Sequence, residues 1–199
     1  MGVKGLIAYL TVSGLVLTLI ARRKSSVMYN AGDFFRPEEV ADIANSLPNS
    51  SEDDFIQNAW QMVGSTIPYQ GINSDMRFDG ESQILCQDCL TPNETLENQQ
   101  GNCLAKSALL ASVLATRIPM DRINIIVGSY VPLGGHAWVE VKRRDGKWYT
   151  LEATGVPKPG KRWVLADDAV DYKPGVYMNA DFAICDDPAY LSTASFAGA

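Results

Sequence analysis

Histidine is almost missing from this chain. Among 199 residues only His136 carries an imidazole, so any imidazole general base has to be this one. Cysteine is sparse as well. Four residues, at 86, 89, 103 and 185, cannot make a dense disulfide framework in a chain this long. Only Cys86 and Cys89 form a C-x-x-C pair, and a zinc ribbon wants two such pairs. There is no internal repeat and no long biased tract, and the 46% hydrophobic content is that of a folded protein large enough to bury a core. Positive charge is outnumbered in the body of the chain. Residues 1–25 hold Lys4, Arg22, Arg23 and Lys24 without an acid, which leaves 13 basic against 23 acidic residues for the remainder. Nucleic-acid binding depends on neutralising phosphates, so that class of partner is excluded.

One long apolar run is present. Residues 5–21, GLIAYLTVSGLVLTLIA, are 17 residues without a charge, followed at once by Arg22-Arg23-Lys24. As a helix it would span roughly 25 Å, the short end of what crosses a bilayer. A cleaved signal peptide needs small residues after its apolar core, and Ala21-Arg22-Arg23-Lys24 is instead a membrane-interface stop. The expectation is a membrane anchor over 1–24, a polar linker over 25–32, and one catalytic domain over 33–199. The cations after the run lean weakly toward a cytoplasmic body. The sequons at Asn49 and Asn93 are short chance patterns and carry no weight.

Helices come first in the body. Pro37 opens a helix with acids in its first turn that Pro48 closes. Ser51 has the features of an N-cap for a helix whose inner face carries Phe55, Ile56, Ala59, Trp60 and Val63. Residues 68–90 read as irregular. Thr91-Pro92-Asn93-Glu94 is a capping box, and Cys103 then begins a run, LAKSALLASVLATRI, apolar around most of its circumference and therefore buried. After it the period switches to two: residues 123–130, 136–143 and 147–153 are strands, followed by a short one at RWVLA and a looser tail. Helices followed by an antiparallel sheet give an α+β fold.

Cys103 stands where a helix begins. Unpaired N–H groups and the positive end of the helix dipole favour a thiolate there and can hold an oxyanion. By position alone it reads equally well as a packed core cysteine. His136 follows Gly134-Gly135 at the mouth of a strand and is the natural base for that thiol, which requires a third group to hold its ring. The hairpin supplies one. With a two-residue loop, polar and apolar side chains mix on both faces. With the loop Arg144-Asp145-Gly146, one face carries Ala137, Val139, Val141, Tyr149, Leu151 and Ala153, and the other carries His136, Trp138, Glu140, Trp148 and Glu152. That register puts Glu152 about 7–8 Å from His136 along a diagonal, within reach of a long side chain. Glu152 is the expected orienting acid, against the plain alternative of an exposed strand-end carboxylate.

The stretches TPNETLENQQGNCLAKSALLASVL and VGSYVPLGGHAWVEVKRRDGKWYTLEAT resemble the core of the transglutaminase-like superfamily, notably its small microbial cysteine-peptidase-like members. The resemblance spans roughly Trp60 to Thr154 and implies a papain-like α+β fold, a buried Cys-bearing helix on an antiparallel sheet, and a Cys103–His136–Glu152 triad. The family more often has Asp as the acid, and Asn102 stands where many members have Asp. The second oxyanion donor is open; Trp60, Gln83 and Gln99 each have an N–H of the right type. Cys86-x-x-Cys89 reads as a redox pair or half a zinc site. The expected function is a membrane-anchored thiol acyl-transfer enzyme acting on peptide or glutamine amides, with no cofactor or metal and a polypeptide substrate. It reads as more hydrolytic than cross-linking. The alternative is a non-catalytic tethered binding module on the same fold.

Overall fold

The computed structural model describes residues 27–71, 75–78, 83–131, 134–155, 164–181 and 183–185, with short strand segments at 11–12, 15–16 and 194–195. In chain order the elements are β1 (Thr11–Val12), β2 (Leu15–Val16), β3 (Val27–Asn30), α1 (Ala41–Ser46), α2 (Glu52–Thr66), β4 (Asp75–Phe78) and β5 (Gln83–Gln87). They continue with α3 (Pro92–Asn98), α4 (Cys103–Ala115), β6 (Ile123–Tyr130), β7 (Gly134–Lys142) and β8 (Trp148–Leu151). The last four are β9 (Val164–Leu165), β10 (Tyr172–Met178), β11 (Ala183–Cys185) and β12 (Ala194–Ser195).

The architecture is α+β, as the order of patterns predicts. A six-stranded antiparallel sheet, β11-β10-β6-β7-β8-β9, packs one face against α4, and α2 and α3 cover α4 from outside. Every residue of α4 from Cys103 to Leu114 is buried, which is why that helix lacks a polar stripe. The sheet meets it with Ile123, Ile125 and Val127 of β6, Ala137, Val139 and Val141 of β7, and Leu151 of β8. Ser51 caps α2 by accepting the Asp54 N–H at 3.1 Å, and Thr91 and Glu94 form the reciprocal capping box of α3. Glu52 receives Arg122 at 2.5 Å and Arg144 at 3.0 Å, and Arg143 pairs with Asp53, pinning the start of α2 to the β7–β8 hairpin. The hairpin has the three-residue loop. Lys142 faces Trp148 and Glu140 faces Thr150, with Gly146 at φ 80°.

Three expectations are corrected. Residues 27–30 form β3 instead of a linker, because Tyr29 packs on the core and the strand pairs with β5. The stretch 68–90 contains β4 and β5, which bury Met76, Phe78, Ile84 and Cys86 in alternation; with β12 and β3 they make a second sheet, β12-β4-β5-β3. The tail contains β10, which pairs with β6 through a bulge at Pro174–Val176. The expected membrane anchor over 1–24 lies outside the described residues, apart from β1 and β2, which pair antiparallel with Thr11 opposite Val16. Among the described residues no helix is long and apolar enough to cross a membrane.

Candidate active site

The segment before Cys103 is bent by local chemistry. Gln99 ends α3 in the left-handed conformation at φ 51°. Gly101 then donates to the Pro68 carbonyl at 3.2 Å and accepts the Gln70 N–H at 3.0 Å. A Cβ at Gly101 would lie 2.8 Å from the Ala105 side chain, so only glycine lets this strand-like segment enter the helix so closely. Asn102 caps α4, its Oδ1 accepting the Ala105 N–H at 3.0 Å. Cys103 is thereby fixed at the first helical position, with the residue 2% exposed.

His136 comes to the same place from β7, opposite Gly128 of β6. Its Nε2 stands 2.7 Å from Glu152 Oε2. Burial alone would lower the imidazole pKa. The nearby Cys103 and Glu152, which stabilise the protonated ring, win and raise it from 6.5 to about 9. His136 and Glu152, two of the residues singled out in the sequence, are joined directly, and Cys103 at the start of α4 lies close enough to act on the imidazole.

Glu152 sits just past the end of β8. Burial pushes its carboxyl up, but the net effect is downward because His136 and Thr154 donate to it. Oε2 also accepts the Tyr172 hydroxyl at 3.0 Å, while Oε1 accepts the Thr154 N–H at 2.8 Å and the Thr154 hydroxyl at 2.5 Å. Four donors hold one carboxylate. Around the imidazole stand Tyr130 (ring centroids 5.7 Å apart), Trp138 (6.3 Å) and Tyr172 (6.3 Å), the last two packed edge to face at 5.0 Å. Trp138 rests on Gly128, where a Cβ would lie 2.8 Å from the indole and 2.2 Å from the Lys173 carbonyl.

Several of these partners are not evident from sequence. Thr154 has a local signal, since a hydroxyl two residues past an acid can fold back on it. Tyr130 lies opposite Gly134 and follows from the hairpin register. Tyr172 comes from β10, which sequence pattern does not reveal. Lys106, on the next turn of α4, is 1% exposed and gives its ammonium to the Ile67 carbonyl at 2.5 Å and the Gly64 carbonyl at 3.4 Å. Desolvation lowers its pKa, with a partial opposing pull from Glu152. It ties the end of α2 and the segment running to Tyr69 onto the Cys103 helix.

None of the three candidate oxyanion donors is singled out by its position. Trp60 spends its indole N–H on the Glu152 carbonyl at 2.6 Å, Gln99 is an exposed cap residue, and Gln83 lies on the second sheet. Tyr69 is the polar side chain beside the site: burial chiefly, then the charges of Cys103 and Glu152, hold its phenol protonated. Cys86 and Cys89 are bonded to each other as a disulfide that closes the end of β5 onto the approach to α3, so the C-x-x-C is not half of a metal site.

No family model and no curated protein matches the chain in sequence. Solved structures do match in fold. Legionella pneumophila LapG in EGTA-treated form is similar at a TM-score of 0.57 and 16% identity, covering 73% of this chain and 73% of that one. A second LapG structure gives 0.56 at 15%, covering 73% and 75%. The calcium-bound form of LapG gives 0.52 at 15%, covering 76% and 88%. At 15–16% identity these likenesses show a shared fold, helices packed on an antiparallel sheet.

Proposed function

We propose that the chain is a thiol enzyme of acyl transfer, a peptidase or amidase acting on peptide or glutamine amides. One observation carries the reading: the His136 imidazole meets the Glu152 carboxylate at 2.7 Å beside Cys103, which stands at a helix N-terminus. The resemblance in fold to LapG, a transglutaminase-like cysteine protease, supports it.

The chemistry follows from the geometry. The Cys103 thiolate attacks the amide carbon, and the negative oxygen that forms is held by the Cys103 backbone N–H and the Tyr69 hydroxyl. His136, held as imidazolium by Glu152, gives its Nδ1 proton to the departing amine, which completes the thioester. Water enters, loses a proton to His136 and attacks the thioester, releasing the acid and restoring the thiolate–imidazolium pair. An amine in place of water would give cross-linking; hydrolysis is the proposed outcome. Glu152 never needs to gain a proton, since its four donors stabilise the charged form.

The test is trapping. Cys103 in the wild-type chain should be acylated by an amide-directed electrophile at near-neutral pH, and a peptide-amide library should be hydrolysed by wild type and not by Cys103→Ala. If Cys103 reacts no faster than a free surface thiol and Cys103→Ala retains all activity, the enzyme reading is wrong. Membrane association through residues 5–21 belongs to the proposal on the strength of sequence, with fractionation of the full chain as its check. The cations after the run favour a cytoplasmic domain, while the Cys86–Cys89 disulfide favours an oxidising compartment. Accessibility to protease added to intact cells decides between them.

A further inference from the structure

The sheet face that carries His136 continues past Trp138 into a second polar centre that the triad does not use. Glu140 lies in register between Asn124 on β6 and Thr150 on β8, so three polar side chains cross three adjacent strands in one row. Glu140 is 7% exposed and Thr150 is 6% exposed. Burying such a row is costly unless its groups are hydrogen-bonded. Yet Glu140 Oε1 accepts one bond, from Trp138 Nε1 at 3.3 Å, and among the described residues nothing donates to its second oxygen. Thr150 Oγ1 has no partner either.

The row borders a cavity of about 420 Å³ lined by Asn124, Glu140, Trp148, Asp167 and Tyr177 among others. Two carboxylates thus face one space between two aromatic rings. No Lys or Arg among the described residues pairs with either acid; Lys142, the near cation, stands 6.0 Å over the Trp148 ring on the same face. Burial pushes the Glu140 carboxyl above its ordinary pKa, the bond from Trp138 pulls it back, and the like charge of Asp167 adds to the rise. A ligand bringing positive charge would relieve that repulsion.

We infer that this cavity binds a primary alkylammonium group, its charge on Glu140 and Asp167 and its methylenes between Trp148 and Tyr177. A single free carboxylate oxygen suits the point charge of an ammonium better than the two-pronged fork of a guanidinium. The aromatic walls suit a cation on an apolar stem. Among the described residues no three His, Cys, Asp or Glu side chains group to hold a metal ion. The ammonium could come from a lysine side chain of a polypeptide or from a free diamine. Glu140 is four residues from His136 along β7, about 13 Å, so an occupant sits beside the triad and outside it. The inference does not depend on Cys103 being catalytic.

Calorimetric titration of the full chain tests it, with 1,5-diaminopentane and Nα-acetyl-lysine methylamide as probes and 1-pentanol as the neutral control. Both amines should bind with a dissociation constant of about 1 mM or tighter, and pentanol should not. The tighter of the two amines identifies the source. Glu140→Gln keeps an acceptor for Trp138 and should weaken binding about tenfold, and Asp167→Asn, at an exposed position, about threefold. Near-ultraviolet circular dichroism checks that both variants fold. The inference falls if neither amine binds at about 50 mM, if pentanol binds as well as diaminopentane, or if both variants bind like wild type.

Discussion

Replacing Glu152 by glutamine removes one charge and turns one acceptor oxygen into a donor. The Thr154 backbone N–H, 2.8 Å from Oε1, cannot accept a hydrogen bond, so the new amide must keep its oxygen on that side. Its NH2 then faces His136 and Tyr172. The tyrosine hydroxyl can turn and accept. His136 can accept only by presenting a bare Nε2, which places its proton on Nδ1, toward Cys103, where a base is needed. The charge matters as well. The rise of the imidazole from 6.5 to about 9 corresponds to about 3 kcal/mol, which Glu152 and Cys103 supply together against burial. If Glu152 supplies half, its loss costs about tenfold in the paired imidazolium form, and the wrong tautomer adds a larger factor. The alkylation rate of Cys103 by iodoacetamide at pH 7, followed by mass spectrometry, should therefore fall roughly 100- to 1000-fold in Glu152→Gln. Glu152→Ala leaves Nε2 to water and imposes no tautomer, so it should retain more reactivity than the glutamine variant. An unchanged rate in Glu152→Gln, or a glutamine variant faster than the alanine one, would refute this reasoning.

Other expectations follow from the same site. His136 binds its proton more tightly folded than unfolded, so its contribution of about 3 kcal/mol is complete below pH 6.5 and is lost as pH rises through about 9; urea titrations at pH 6, 8 and 10 should show that decline, and kcat/KM on any cleaved peptide should have its alkaline limb near pH 9. Tyr172→Phe removes one of the four donors to Glu152; it should cost about 1 kcal/mol in thermal unfolding and move that alkaline limb, whereas a purely structural tyrosine would leave the limb in place. Gly128→Ala drives a methyl into the Lys173 carbonyl and the Trp138 ring. It should cost about 2–3 kcal/mol in denaturant unfolding, and a near-wild-type midpoint would contradict the close packing behind His136.

How much of this was legible in the sequence varied with the physics of each element. The β7–β8 hairpin could be read because a slip of one residue would put Lys142 and Glu140 into the core; the alternation and Gly146 allow a single register, and it brings Glu152 to His136. The Cys103 helix was legible because a chain segment apolar on every side has to be interior. β10 was not, since Pro174 and Gly175 break the alternation at its bulge, and with it went Tyr172. β4 and β5 were hidden by Asp, Gly, Ser and Gln around them, although Met76, Phe78, Ile84 and Cys86 still alternate inward. Lys106 looked like one polar residue on an apolar helix; its partners are the Ile67 and Gly64 carbonyls, contacts 39 and 42 residues away that no local pattern encodes.

The four donors on Glu152 also bear on when, during synthesis, a site of this kind could first act. His136 and Glu152 are 16 residues apart on one hairpin and can meet early. The Trp60 indole holds the same residue across a separation of 92, and the Tyr172 hydroxyl arrives 20 residues after it, on a strand that must insert beside β6. Contacts of that span form late, after the loops between them have closed. A growing chain that has exposed Cys103 and His136 but not yet placed β10 holds a loose carboxylate. On the proposed reading of the site, reactivity of Cys103 would therefore mark completed folding, and a newly made chain and its neighbours would be spared a half-built thiol enzyme.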